Sequence, residues 1–331
     1  MARAVRFDRL GGPEVLRVEE VAIGDPGPDE VRLRVDAIGV NRAEANFRAG
    51  TYVYQPVLPG SGLGYEAAGV VEAVGEGVLD FLPGDVVSAL PAFLMTEYAA
   101  YAETAILPAR ALVRHPGNVD AMHAAATWMA YSTAYGMLLE FGGLVPAMPV
   151  LITGASSSVG IAAIQIANSI GAIPIATTRT VAKQQRLFDA GAAHVVVTDT
   201  HDVVKEVLSV TKGEGVALAI DAIGGAGLST LIQTVAPGGS LVVYGWLDPA
   251  PMPFPVHPDF RARNVRTYAF TEVTMDADRI ERAKRFVSAG LRTGALDPVI
   301  DRAFDLTEVA DAHRYLEANT QLGKVVLTVD R

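Results

Sequence analysis

The chain has 331 residues, of which 50% are hydrophobic and 19% charged, with 32 glycines and 19 prolines. That balance excludes a disordered, collagenous or coiled-coil chain and supplies a core large enough for two domains. A formal net charge of −10 argues against nucleic acid or an anionic membrane as partner, and the absence of cysteine excludes disulfides, thiolate nucleophiles, Cys-ligated zinc and iron–sulfur clusters.

The opening Met1-Ala2-Arg3-Ala4-Val5-Arg6-Phe7 alternates like a strand and lacks the apolar centre of a signal peptide. No apolar run reaches the roughly eighteen residues a bilayer span needs. The nearest, Leu151 to Ala176, is broken by Ser156-Ser157-Ser158, Gln165 and Asn168. A cytoplasmic location with no membrane partner is the expectation.

Through residue 110 the pattern is β-rich. Val15-Leu16-Arg17-Val18 and Val31-Arg32-Leu33-Arg34-Val35 alternate, and turns fall at Gly24-Asp25-Pro26-Gly27-Pro28 and Pro83-Gly84-Asp85. Closely spaced strands of this kind predict a barrel or sandwich-like lobe. From Val119 to Leu139, Ala, Met and aromatics recur at helical spacing.

A new rhythm then begins. Strands are expected at Val150–Thr153, Ala172–Thr177, His194–Thr198, Val216–Ile220 and Ser240–Tyr244. Helices are expected between them at Val159–Ile170, Ala182–Ala190, Val203–Val210 and Leu228–Val235. Alternation of this kind predicts an α/β domain with a doubly wound parallel sheet, because parallel strands need helical crossovers. Asn264 to Phe270 reads as its terminal strand, an open edge suited to pairing with a two-fold copy in a homodimer. After a helix near Arg279–Leu291, the strand Lys324–Val329 returns to the first lobe.

The strand at Val150–Thr153 runs into Gly154-Ala155-Ser156-Ser157-Ser158-Val159-Gly160 and then a helix. Small residues here let backbone N–H groups approach a pyrophosphate, and the helix N-terminus adds partial positive charge. Ala155 and Ser157 replace two glycines of G-x-G-x-x-G, so the turn alone also fits a serine-capped helix start. The βαβ series that follows favours a dinucleotide. No Asp or Glu occurs from Ile161 through Phe188, where a carboxylate would hold the ribose 2′-OH of NADH. Thr178, Arg179 and Lys183 stand there instead and suit the 2′-phosphate of NADPH.

These residues place the chain beside a known group. It resembles the zinc-independent quinone oxidoreductases of the medium-chain dehydrogenase/reductase superfamily over essentially its whole length. The resemblance rests on Gly39-Val40-Asn41-Arg42-Ala43-Glu44, on the Leu58–Val71 segment (LPGSGLGYEAAGVV), on Pro83-Gly84-Asp85-Val86-Val87, on Gly154–Gly160 and on Gly323-Lys324-Val325-Val326-Leu327. It implies a β-rich GroES-like catalytic lobe (residues 1–122 and 296–331) and a Rossmann dinucleotide domain (123–295). It further implies that Asn41, Glu44 and Tyr52 face the nicotinamide cleft. Lys183 matches the basic residue for the 2′-phosphate, and Thr133, Gly245 and Lys324 are cofactor contacts, beside the Ala155–Gly160 turn. Zinc-dependent relatives have cysteine at the position of Asn41 and histidine at that of Tyr65, so no metal is expected. Quinone reductases tend to have Asp in place of Glu44 and an aromatic in place of Asn46.

Without zinc to polarise an alcohol, hydride transfer needs an acceptor held face to face with the nicotinamide and donors aimed at the developing oxyanion. A quinone or an α,β-unsaturated carbonyl fits. Tyr52 and Tyr65 are candidate proton donors, Asn41 a carbonyl donor, and Glu44 a group that orients Asn41 or a water. Packing tyrosines, a turn asparagine and a solvated carboxylate explain the same four residues without catalysis. Trp128, Met129 and Tyr131 read as core. Two alternatives stay open: an enoyl-thioester reductase, for which Arg261 and Arg263 would supply a basic rim, and a catalytically idle NADPH-binding protein.

Overall fold

Glu30–Val40 buries every second residue along most of its length, so one face of this eleven-residue strand meets the core while Arg32 and Arg34 lie between the buried positions. The structure, a computed structural model, describes residues 1–253 and 262–329. In chain order it begins with β1 (Ala2–Arg6), β2 (Arg17–Val21), β3 (Glu30–Val40), α1 (Arg42–Ala49), β4 (Ala67–Val74), β5 (Val86–Ala89), β6 (Thr104–Pro108), β7 (Leu112–Arg114), α2 (Ala121–Ala125) and α3 (Trp128–Tyr135). There follow β8 (Pro149–Ile152), α4 (Ser158–Ser169), β9 (Ile173–Thr178), α5 (Gln184–Asp189), β10 (His194–Val197), α6 (Val203–Val210), β11 (Val216–Asp221), α7 (Leu228–Leu231) and β12 (Val235–Val243). The last elements are β13 (Asn264–Thr267), α8 (Thr271–Thr274), α9 (Ala277–Thr293), β14 (Ile300–Asp305), α10 (Val309–Glu317) and β15 (Lys324–Thr328).

Two large sheets organise these elements. One has the order β14-β15-β3-β4-β5-β7, with β6 also on β3. In it β15 returns antiparallel to β3, pairing Val325 with Val40, so the C-terminal strand closes the first lobe. The other sheet is parallel throughout, in the order β10-β9-β8-β11-β12-β13. This is the doubly wound order 3-2-1-4-5-6, with β8 as first strand. Strand order reverses between β8 and β11, and ligands of such sheets bind in the crevice at the strands' carboxyl ends.

The α/β class, the GroES-like sheet and the Rossmann-like sheet agree with expectation. Several boundaries differ. Pro13–Val15 form a 3-10 turn, so the strand expected from Val15 begins at Arg17. The helix expected through Val235 ends earlier, and Val235 opens β12, which continues through Pro237, Gly238 and Gly239. Helices α1 and α10 and strand β14 have no counterpart in the sequence reading. Trp128, Met129 and Tyr131 are buried in the core, as expected. Among the described residues no helix is long and apolar enough to cross a membrane.

Candidate active site

The lobes meet around a buried polar network built from three distant stretches of chain. Asn41 lies between β3 and α1, Glu66 precedes β4, and Lys324 opens β15. Lys324 Nζ donates to Asn41 Oδ1 at 2.6 Å and to Glu66 Oε1. Asn41 Nδ2 donates to Glu66 Oε1 at 3.0 Å and to Glu44 Oε1 at 3.2 Å. The second Glu66 oxygen accepts from the N–H of Met129, at the start of α3, at 2.8 Å. Glu66 is therefore a central member that sequence reasoning missed. It sits in a run of small residues, and its cation lies 258 positions away.

Glu44 is fully buried, and burial is the main force pushing its carboxyl up to about 7, against the Lys324 charge that lowers it. Its Oε1 also accepts from the Tyr65 N–H at 3.2 Å. The carboxyl thus orients Asn41 and holds a proton near neutrality. It is not a solvated surface group.

Beside this network lies a cluster of phenols. Tyr65 OH meets Tyr52 OH at 3.2 Å and also bonds Tyr54 OH, while Tyr54 OH accepts from the Met95 N–H at 3.0 Å. Burial raises the ionisation of Tyr52 and Tyr65 far above neutrality, so both stay protonated. Each phenol has one proton to give. Either oxygen of each phenol pair can donate; in the arrangement in which Tyr54 donates to Tyr65 and Tyr65 to Tyr52, the Tyr52 proton is left for a ligand. Tyr54 is the second residue missed, hidden in a loop without a motif. Phe270, just after β13, packs edge-on against Tyr65 at 5.3 Å, so the cluster borders the parallel-sheet lobe.

At the carboxyl end of β8, Ser157 caps α4 by accepting the Gly160 N–H at 3.1 Å. By helix geometry the Ser158 and Val159 N–H groups lack intrahelical acceptors and face the crevice end of the helix. Gly160 has no substitute here, because a Cβ would lie 2.5 Å from the Ala155 backbone. Ala155 is buried beneath the turn, and Ser156 lies partly exposed at its rim. Thr178 is buried at the end of β9 and Arg179 beside it is exposed. Lys183 Nζ donates to Ser156 Oγ at 3.2 Å and to the carbonyls of Asn319 and Gln321 at 3.2 and 2.7 Å. Gly245 follows β12 and donates its N–H to the Asp221 carbonyl at 3.3 Å. Asp221 itself accepts from Thr153, Ile223 and Gly224, fixing the turn after β11.

The residues present fit a dinucleotide: a capped, uncharged helix start, a glycine cradle under it, and cations at the end of β9. Thr133 faces inward from α3 and spends its hydroxyl on the Met129 carbonyl at 2.5 Å. The Lys324 ammonium lies in the Asn41–Glu66 network, and its chain neighbour Gly323 pairs with Ser157 of the phosphate turn. Among the described residues no group of three or more His, Asp or Glu is gathered in a metal-binding arrangement. Arg263 bonds the Val235 carbonyl at 2.5 Å, whereas Arg261 and residues 254–260 of the Trp246–Phe260 loop lie outside the described residues.

Comparison with known proteins agrees with this architecture. Residues 27–117 match the family described as the alcohol dehydrogenase GroES-like domain, and residues 190–327 match that of zinc-binding dehydrogenases. A 2-haloacrylate reductase of a Burkholderia species is 31% identical over 99% of both chains. A quinone oxidoreductase of Lama guanicoe is 32% identical over 99% of this chain and 97% of its own. The Escherichia coli quinone oxidoreductase, solved in complex with NADPH, superposes with a TM-score of 0.92 at 26% identity, over 99% of this chain and all of that one.

Proposed function

Because the chain belongs to the zinc-independent quinone oxidoreductase family of the medium-chain dehydrogenase/reductase superfamily, an oxidoreductase family, we propose that it transfers hydride from NADPH to a quinone or an α,β-unsaturated carbonyl without zinc. The observation that carries this reading is the pairing of a β9 end that bears Arg179 and Lys183, in a stretch of chain free of Asp and Glu from Ile161 through Phe188, with a phenol and amide cluster at the seam between the lobes. The first favours a 2′-phosphate, and the second supplies neutral donors to an acceptor oxygen.

Bound along the β8 turn, NADPH supplies the hydride. The N–H groups of Ser158 and Val159 receive its pyrophosphate, and Arg179 with Lys183 its 2′-phosphate. Tyr52 donates to the oxygen on which charge develops, while Tyr65 and Tyr54 orient that phenol. Asn41, its carbonyl held by Lys324 and its N–H groups shared between two carboxylates, fixes the floor of the cleft. Glu44 stores a proton behind it. For an enone, hydride adds at the β-carbon and the proton closes the enolate at the α-carbon. The names of two relatives, quinone oxidoreductase and 2-haloacrylate reductase, both describe reduction of a conjugated double-bond system and support that class.

The test follows NADPH consumption with an ortho-quinone and with a simple conjugated enone, NADH being the control. Turnover of either acceptor, faster with NADPH, is expected. NADPH binding without turnover of any acceptor in a quinone and enone panel would overturn the catalytic reading in favour of an idle nucleotide-binding protein. We also infer a homodimer paired through the exposed edge of β13, to be checked by solution scattering, where a monomer at high concentration refutes it.

A further inference from the structure

The segment between α10 and β15 touches both halves of the site. At one end its backbone lies against the phosphate turn: Gly323 N–H donates to the Ser156 carbonyl at 2.9 Å, and Ser157 and Gly323 pair as a parallel bridge. Asn319 and Gln321 hold Lys183 through their carbonyls. At the other end the next residue, Lys324, places its ammonium on Asn41 and Glu66. Both ends lie within the six residues from Asn319 to Lys324.

The connection is stiff. Gly323 has φ +104°, a conformation open to glycine, and a Cβ there would meet the Val299 carbonyl at 2.3 Å. The same carbonyl accepts the Lys324 N–H at 2.8 Å, so the chain is clamped immediately before the lysine. Arg42, on α1 next to Asn41, bonds the Leu316 carbonyl and Asn319 Oδ1 at 2.9 and 2.6 Å. A shift of 319–323 therefore reaches Lys324 through the backbone and Asn41 through Arg42.

We propose that Lys183 is a positioning residue: occupation of the 2′-phosphate site moves the 319–323 strap and through it sets Lys324 against Asn41 and Glu66. The argument is one of proton count. An ammonium has three N–H bonds, and Lys183 already uses three acceptors. A phosphate that Lys183 engages at the end of β9 takes at least one of those bonds, and two of the three belong to the strap. Burial, with the neighbouring Arg179 charge, already holds the Lys183 ammonium below the usual lysine range, so a dianion is a stronger partner than carbonyls. This device makes NADPH differ from NADH in turnover as well as in affinity. It rests on the nucleotide reading given above.

The experiment uses two fragments that cannot deliver hydride, ADP-ribose and 2′-phospho-ADP-ribose. Binding is followed by calorimetry, and amide hydrogen exchange is read across 319–324 in the same samples. The 2′-phosphorylated fragment is expected to change exchange at Gly323 and Lys324 several-fold, and ADP-ribose to leave them as in the free protein. Lys183→Met should erase that difference and Lys183→Arg restore it in part. In turnover, Lys183→Met should lower kcat with NADPH toward the NADH value, beyond any change in KM. Exchange effects confined to 154–160 and 179–183, or equal strap responses to both fragments, would overturn the inference while leaving nucleotide binding intact. Failure to bind either fragment would overturn the nucleotide reading and this inference together.

Discussion

Lys324 Nζ and Asn41 Oδ1 stand 2.6 Å apart although 283 positions separate them, and that contact ties the C-terminal strand to the start of α1. Lys324 is the cation of a pocket holding two carboxylates, Glu66 bonded directly and Glu44 through Asn41. Removing one member of a buried ionic set leaves the others uncompensated. Lys324→Met should therefore cost about 3 to 5 kcal/mol in urea unfolding at pH 7.5. A loss below about 1 kcal/mol would show that the carboxylates relax without it.

The pH dependence of stability should show two opposed slopes. Glu44 carries its proton up to about 7 when folded, against an ordinary 4.5, so between these values the folded state binds the extra proton. Its contribution is present at the acid end of that window and falls as pH rises. His313, fully buried on α10, is pushed down to about 3 by burial and by the charges of Arg48 and Arg42, so the unfolded state binds the extra proton up to 6.5. Its contribution is lost as pH falls. From 4.5 to 6.5 the two offset each other. Glu44→Gln should uncover a stability that rises with pH there, and His313→Leu one that falls, each by at most about 1.4 kcal/mol per pH unit. Denaturant melts at pH 4.5, 5.5 and 6.5 decide it. Two variants with parallel slopes would contradict the assignment.

The phenol chain makes a prediction about coupling. If Tyr54 and Tyr65 act only by orienting Tyr52, loss of the last member removes the benefit of the others. Tyr52→Phe should lower kcat by roughly 10- to 100-fold and Tyr65→Phe by about tenfold. The double variant should then be no slower than Tyr52→Phe alone. Fully multiplied losses, measured with the acceptor that turns over, would mean that Tyr65 meets the substrate itself.

What the sequence made legible follows from which signals are local. The phosphate turn and α6 were readable because caps, glycine and apolar spacing all lie within a dozen residues of one another. Helix α1 was not, because two of its inward positions are Glu44 and Arg48, both buried, and hydrophobic periodicity cannot register a charged side chain that packs inside. Strand β14 carries an exposed Arg302 and pairs only with β15 among the described strands, so its apolar signal is thin. Asn41, Glu44, Tyr52 and Tyr65 were nameable from resemblance. That Glu66 and Tyr54 join them depends on tertiary contacts that no spacing encodes.

Cofactor choice gives the most direct test of the end of β9. Arg179 is exposed there, and no carboxylate precedes it from Ile161 onward to repel a 2′-phosphate. An Arg–phosphate contact open to solvent is worth about 1.4 kcal/mol, which is about tenfold in affinity. Arg179→Gln should therefore raise the KM for NADPH about tenfold and leave the KM for NADH and both kcat values close to wild type. This separates Arg179 from Lys183, whose loss should act on kcat as well because its ammonium also holds the carbonyls of Asn319 and Gln321. If Arg179→Gln raises the KM values of both nucleotides equally, the arginine meets the shared part of the molecule. The 2′-phosphate would then be read by Lys183 and the Thr178 hydroxyl.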